Sequence, residues 1–308
     1  MVDMSLPLDH QQRIACVRLS LDGLSVGDAL GEQFFHFPEF VGPRTVPAPR
    51  WRYTDDTAMA LSIAEVLDRF GRIEQDELAR LFADRYAADP HRGYGAGAQE
   101  LLEAIARGTP WREASIRAFR GEGSLGNGAA MRVAPVGACF ADDLDAVVRE
   151  ADASAEITHA HPEGRAGAVA VAVAAATAWN RRGQPPDEAG RRMLETCLER
   201  TPRGGTRDGI TVALKLGRDA TVQDAVAVLG NGSQLTAADT VPYCLWCAAR
   251  HLDSYVDAFW TTVSGLGDRD TTCAIVGGIV VLFVGLEAIP EAWLYSREPL
   301  GFRSSASL

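Results

Sequence analysis

Two short acidic stretches put paired carboxylates beside hydroxyls. Trp51-Arg-Tyr-Thr54-Asp55-Asp56-Thr57 runs into the amphipathic segment Ala58–Leu67. Gly265-Leu-Gly267-Asp268-Arg269-Asp270-Thr271-Thr272 runs into the apolar segment Cys273–Leu286. One Asp or Thr at each helix start is what N-capping and the helix dipole favour. Two acids at each start exceed that need, because adjacent carboxylates repel unless a cation compensates them. An all-oxygen set of carboxylates, hydroxyls and waters suits a hard ion such as Mg²⁺ or Mn²⁺. If the stretches meet in space, Thr54, Asp55, Asp56, Asp268, Asp270 and Thr271 could hold two ions. Residue types alone leave capping and metal binding both open.

Three further segments carry chemistry. Gly121-Glu-Gly123-Ser-Leu-Gly126 has the form GxGxxG, but no strand precedes it and no βαβ pattern surrounds it, so it is not a dinucleotide fingerprint. The adjoining Gly126-Asn127-Gly128-Ala129-Ala130-Met131-Arg132, and Tyr94-Gly95-Ala96-Gly97, offer backbone amides that can cradle a phosphate or simply turn. In Thr158-His159-Ala160-His161-Pro162, paired His at i, i+2 would suit a metal on a strand, which Pro162 disfavours. A ligand-holding His in a loop and a cap for the next helix both fit. Gly23, Gly27 and Gly31 are spaced by four and share one helical face, which permits close packing. Asp28 and Glu32 share another face; a solvated acid is a fair reading of Glu32 and a weaker one of Asp28.

These residues must be positioned by helices. Ile14, Val17, Leu21 and Leu24 follow the helical period, as do Ala58, Leu61, Ala64 and Leu67, then Leu78, Leu81 and Phe82. Strand-like alternation is scarce, and Val169–Val173 alternates only within an Ala-rich apolar run. Gly and Pro punctuate between the periodic segments. The 308 residues, 47% of them hydrophobic, are enough for one large domain with its own core. The runs Ala166–Trp179 and Cys273–Leu286 are too short to span a bilayer, which takes about 20 residues. The net charge of −11, with Lys215 the single lysine, argues against general nucleic-acid binding. Cys244-x-x-Cys247 lacks a second ligand pair and reads as two buried thiols on a helix. Met1–Arg13 has no apolar stretch of the signal-peptide kind, so reduced thiols and a cytoplasmic location are expected.

Together these segments resemble the ADP-ribosylglycohydrolase family, the hydrolases similar to dinitrogenase-reductase-activating glycohydrolase. The resemblance runs from Gly23 to about Gly285, with GLSVGDALGE, YTDDTAM, GYGAG, GNGAAMRVAPVG, THAHPEG and GDRDTT in family order. It implies an all-α, single-domain orthogonal helical bundle over residues 1–308, with a polar tail from about 294. It implies a two-metal site, Mg or Mn, with Thr54, Asp55, Asp56, Asp268, Asp270 and Thr271 as ligands. Gly126, Asn127 and Gly128 would lie along the diphosphate or ribose, Tyr94 and Gly95 would help hold the same ligand, and His159 would contact the terminal ribose. Three departures stand out. Arg269 replaces the middle Thr of GDTDT, Ala129 takes the place of a frequent Ser, and Phe35 stands where many members carry a gating acid. That leaves Glu32 as the candidate gate or proton donor.

The activity implied is metal-dependent cleavage of the N-glycosidic bond at the distal ribose. Asp55, Asp56, Asp270 and Glu32 form the catalytic set, in place of the two carboxyl groups of ordinary glycosidases. The implied substrate is an ADP-ribosylated protein, arginine-linked in the first instance, or an ADP-ribose-containing small molecule. A non-catalytic ADP-ribose binder, or an antitoxin that blocks an ADP-ribosyltransferase, is the alternative. A metal-dependent phosphohydrolase would explain the acids but not the ordered GNG and TH elements.

Overall fold

The computed structural model describes residues 9–302 apart from Arg218. The helices, in order, are α1 (His10–His36), α2 (Asp55–Phe70), α3 (Gln75–Ala88), α4 (Ala96–Ala106) and α5 (Trp111–Gly121). There follow α6 (Ala134–Cys139), α7 (Leu144–Glu156), α8 (Pro162–Asn180), α9 (Pro186–Arg200) and α10 (Gly205–Lys215). The chain continues through α11 (Val222–Leu229), α12 (Ala237–Arg250), α13 (Tyr255–Val263), α14 (Arg269–Val284) and α15 (Glu291–Ser296). Among the described residues there is no β-sheet, only two isolated bridges, Trp51 with Arg297 and Gly126 with Thr236. The all-α expectation therefore holds. Strand-like alternation at Val169–Val173 is part of α8, where Ala166 to Ala178 are buried on every side.

The pairing that organises the molecule is α1 against α14. The glycine stripe of α1 makes it possible. A Cβ on Gly31 would stand 2.5 Å from the Arg269 carbonyl oxygen. One on Gly27 would overlap the Cys273 carbonyl, and one on Gly23 would overlap that of Gly277. Without side chains at these steps the two backbones touch directly, and the burial of Leu24, Leu30, Ile275 and Ile279 around them supplies the apolar gain. Ser20 and Tyr255 close the polar ends of this seam, donating to the carbonyls of Gly278 (2.9 Å) and Gly23 (2.6 Å).

α8 and α14 both run through the interior, and no helix among the described residues is long and apolar enough to cross a membrane. Cys244 and Cys247 lie fully buried on α12 as free cysteines. Burial pushes Cys247 up to about 12. The stretch from about 294, expected as a polar tail, begins within α15 and packs Leu294, Leu300 and Phe302 against the core. Residues 303–308 lie outside the described residues. Trp51 is bracketed by this segment, donating its N–H to the Ser296 carbonyl (2.7 Å) and accepting from Glu298 N–H (2.8 Å).

Candidate active site

The N-termini of α2 and α14 meet beside α1, so the two acidic stretches come together. Asp28, one step along from the glycine stripe, braces the first of them. It is fully buried, and its carboxylate accepts from Thr54 N–H (3.1 and 3.0 Å), Thr54 Oγ1 (2.8 Å), Thr57 N–H (3.1 Å) and Thr57 Oγ1 (2.5 Å). The turn Thr54–Thr57 is thus wrapped round one side chain of α1. Thr54 Oγ1 also lies 2.6 Å from Asp56 Oδ2. One hydroxyl proton cannot serve both carboxylates, so one of the two acids holds a proton or a cation shares the site.

The electrostatics agree. Burial pushes Asp28 up to about 7, with the charge of Asp270 adding to it. Burial and then the Asp270 and Asp28 charges hold Asp55 and Asp56 well above the usual carboxylate range. Asp268 rises to about 8, through burial and then Asp270. Glu32, one turn beyond Asp28, rises to about 7 from burial and the same two neighbours. Six acids from three elements therefore feel one another.

The glycine loops border this cluster. Asp55 N–H donates to the Arg92 carbonyl (2.7 Å), and a Cβ on Gly93 would stand 3.3 Å from Asp55 Oδ1. Tyr94 is buried edge-on to Tyr86, its hydroxyl without a partner, and burial with the nearby Asp55 charge raises its pKa. Gly95 opens α4. On the other side, Asn127 Nδ2 donates to Asp268 Oδ2 (2.7 Å) and to Thr240 Oγ1 (3.0 Å). The loop Gly126–Gly128 is thereby tied to the GDRDTT element, with Asn127 N–H held by the Leu235 carbonyl (3.1 Å). His159 lies against the same loop, where a Cβ on Gly126 would stand 3.3 Å from its Nε2 and one on Gly128 3.2 Å from its Cε1. His161 is the cap of α8, its Nδ1 accepting from Glu163 N–H (3.0 Å). The two histidines have therefore parted company, which removes the paired-ligand reading.

Two of the sequence departures touch each other. The Arg269 guanidinium donates to the Phe34 carbonyl (2.9 Å) and lies over the Phe35 ring at 4.8 Å. The guanidinium thus faces the end of α1.

The donor set fits a divalent cation. Every donor is oxygen, and Asp56 Oδ1 and Asp270 Oδ1 are buried with no hydrogen-bond partner. Buried polar atoms are rarely left so. Among the described residues no three His, Cys, Asp or Glu side chains close on one point as a ready-made cage. The fit lies in the donor chemistry and the two orphaned oxygens.

Sequence reasoning placed Asp28 in a face but not in this cluster, and it missed Arg132. That residue is 1% exposed, donates to Thr158 Oγ1 (2.8 Å) and the Ser154 carbonyl (3.2 Å), and stacks over Phe82 at 4.4 Å. Burial lowers it to about 9 even with the Asp55 charge opposing. The only signal was a cation inside the apolar run Ala129–Val136.

The described residues form an all-α scaffold that brings an oxygen-donor cluster beside two glycine loops. Residues 9–303 match the family model described as ADP-ribosylglycohydrolase. The human protein named ADP-ribosylhydrolase ARH3 is 30% identical over 279 residues, covering 80% of this chain and 74% of its own. The Xenopus tropicalis protein of the same name is 31% identical over 278 residues, covering 80% and 77%. A solved structure titled ADP-ribosylglycohydrolase-related protein complex superposes with a TM-score of 0.69 at 26% identity, over 94% of both chains. The chain belongs to the ADP-ribosylglycohydrolase family and is a glycosidic-bond hydrolase of that kind.

Proposed function

We propose that the protein, one domain over residues 1–308, removes ADP-ribose from modified arginine side chains by cleaving the N-glycosidic bond at the distal ribose. We propose two divalent ions, Mg²⁺ or Mn²⁺, held by Thr54, Asp55, Asp56, Asp268, Asp270 and Thr271. The observation that carries this reading is the pair of orphaned buried oxygens, Asp56 Oδ1 and Asp270 Oδ1, within one mutually repelling acid cluster. When bound, the ions supply positive charge that orients the ribose hydroxyls and lowers the pKa of a water.

The chain's own groups do the rest. Asp28 fixes the Thr54–Thr57 turn. The Gly126–Gly128 loop, steered by Asn127, offers backbone donors to the diphosphate or ribose at no side-chain entropy cost. Tyr94 and Gly95 bound the ligand on the opposite side. His159 contacts the terminal ribose. Glu32 is placed beside Asp28 and Asp270 to hand a proton to the departing group. The excess of carboxylates over two divalent ions favours a cationic leaving group, which supports a guanidinium. Free, unpaired thiols at all six cysteines fit a reducing compartment, and we propose the cytoplasm.

Incubation with ADP-ribosyl-arginine and ADP-ribosyl-serine peptides, with and without each ion, tests the linkage. Faster release from arginine, abolished by chelator, is the expected result. Release from serine alone would move the substrate, and release of inorganic phosphate in place of ADP-ribose would overturn the reaction.

Ion dependence should also appear as stability. An acid whose folded pKa is raised contributes stability that is full below its unfolded pKa and is lost as pH rises through the folded one. Here the unfolded values lie near 4, and Asp28, Glu32 and Asp268 lie at about 7, about 7 and about 8. The chelated protein is therefore expected to lose Tm between about pH 4 and pH 8. Added Mg²⁺ or Mn²⁺ should restore more of it at pH 8 than at pH 5. A chelated Tm that stays level across that window would count against the cluster.

A further inference from the structure

His159 sits at the end of a buried relay that the proposed reaction does not by itself require. The Arg132 Nη2 donates to Thr158 Oγ1 at 2.8 Å, and Thr158 Oγ1 lies 2.7 Å from His159 Nδ1. All three side chains are nine-tenths or more buried. Arg132 is itself fixed from several sides: Nη2 also reaches the Ser154 carbonyl, Nη1 lies 3.4 Å from Met59 Sδ, and the guanidinium stacks over Phe82. The backbone of the pair is fixed too, since Thr158 N–H and His159 N–H both donate to the Ala155 carbonyl (3.1 and 2.8 Å).

The donor and acceptor inventory settles which ring nitrogen carries the proton. An arginine can only donate, so Thr158 Oγ1 accepts from Arg132. The Thr158 hydroxyl proton then has one acceptor among the described residues, His159 Nδ1. Were Nδ1 protonated, two N–H groups would point at Thr158 Oγ1 and the buried hydroxyl proton would have nowhere to go, a state folded proteins avoid. Nδ1 is therefore an acceptor, and the proton of the neutral ring lies on Nε2. Burial and the nearby Arg132 charge also keep the ring neutral, lowering its pKa to about 3. Glycine backbone borders the ring closely. A Cβ on Gly164 would stand 3.0 Å from its Cβ and 3.1 Å from its Cδ2, while Gly126 and Gly128 border Nε2 and Cε1.

We infer that Arg132 and Thr158 are positioning residues that lock His159 in the Nε2–H tautomer, so that the Gly126–Gly128 loop is faced by a permanent neutral donor for a ligand oxygen. This rests on the reading of that loop as the ADP-ribose site. The ligand group it suits is an oxygen acceptor, a ribose hydroxyl or phosphate oxygen, in a position where a second acceptor would be rejected.

The test separates the relay from the reading. In the ¹⁵N spectrum of the ligand-free wild-type protein, His159 is expected to show an unprotonated, acceptor-type Nδ1 and a protonated Nε2 at neutral pH. A protonated Nδ1 overturns the relay, whatever the protein hydrolyses. Thr158→Val, which keeps the shape and removes the hydroxyl, is expected to mix the two tautomers and to weaken ADP-ribose binding about tenfold. Thr158→Ser is expected to restore both. A merely structural role would move Tm in Thr158→Val and leave the tautomer unchanged. An Nε2–H tautomer in the wild type with no ADP-ribose binding would uphold the relay and overturn the assignment of the loop.

Discussion

Asp55→Asn and Asp270→Asn are each expected to lower ADP-ribose release by at least about a thousandfold while the helical signal persists. Both acids lie at helix starts in the shared cluster, and neither belongs to the apolar core. Losing one ligand of an ion-binding site removes several kcal/mol of transition-state stabilisation, and each 1.36 kcal/mol is a factor of ten. The same change removes one of several mutually repelling charges, since Asp270 raises Asp28, Asp55, Asp56 and Asp268. Asp270→Asn should therefore raise the Tm of the chelated protein above that of wild type while abolishing the ion-dependent gain. Activity and melting are predicted to move in opposite directions, which simple misfolding cannot produce. Full turnover in both variants with intact fold would reject the ligand assignment.

Gly27→Val should instead cost both fold and activity. Its Cβ would overlap a backbone carbonyl of α14, not the end of a flexible side chain, so the helices must part. Overpacking ordinarily costs about 1–3 kcal/mol. A rigid backbone neighbour places this change at or beyond the top of that range. Because α1 carries Asp28 and α14 carries Asp270, separation of the pair also pulls the acid cluster apart. Gly42→Ala is the control: its Cβ would meet nothing within 4 Å, and urea midpoints should match wild type. Equal midpoints for Gly27→Val and Gly42→Ala would refute the close-packed seam.

Much of this was legible in the residues because it is local. The 3.6 period of Ile14–Leu24 marks the helix α1, and the glycine stripe announces close packing; Ala58–Leu67 is a helix too, but not the amphipathic one its period suggested, since only Glu65 in that stretch escapes burial. What was hidden is long-range. Nothing near Gly27 names α14 as its mate, and nothing near Asp28 says that Thr54 and Thr57 will supply its donors. Asn127 reads as a loop residue until Asp268 and Thr240 appear beside it. The histidine pair shows the limit from the other side: its spacing of two suggested joint action, and the turn before α8 sends one ring to the Gly126–Gly128 loop and the other to cap a helix. α5 also escapes the period, since Phe119 and Arg120 leave helical geometry for the left-handed region.

The seam between α1 and α14 joins two helices far apart along the chain. During synthesis the glycine-lined side of α1 emerges well before its mate, because the twelve helices α2 to α13 are made between them. Until then that surface stays uncovered, together with the acids it will later carry. The nascent protein is thus committed to late closure, dependent on whatever shields exposed apolar surface in the cell, and a premature stop before α14 would release a product that lacks half of its central contact.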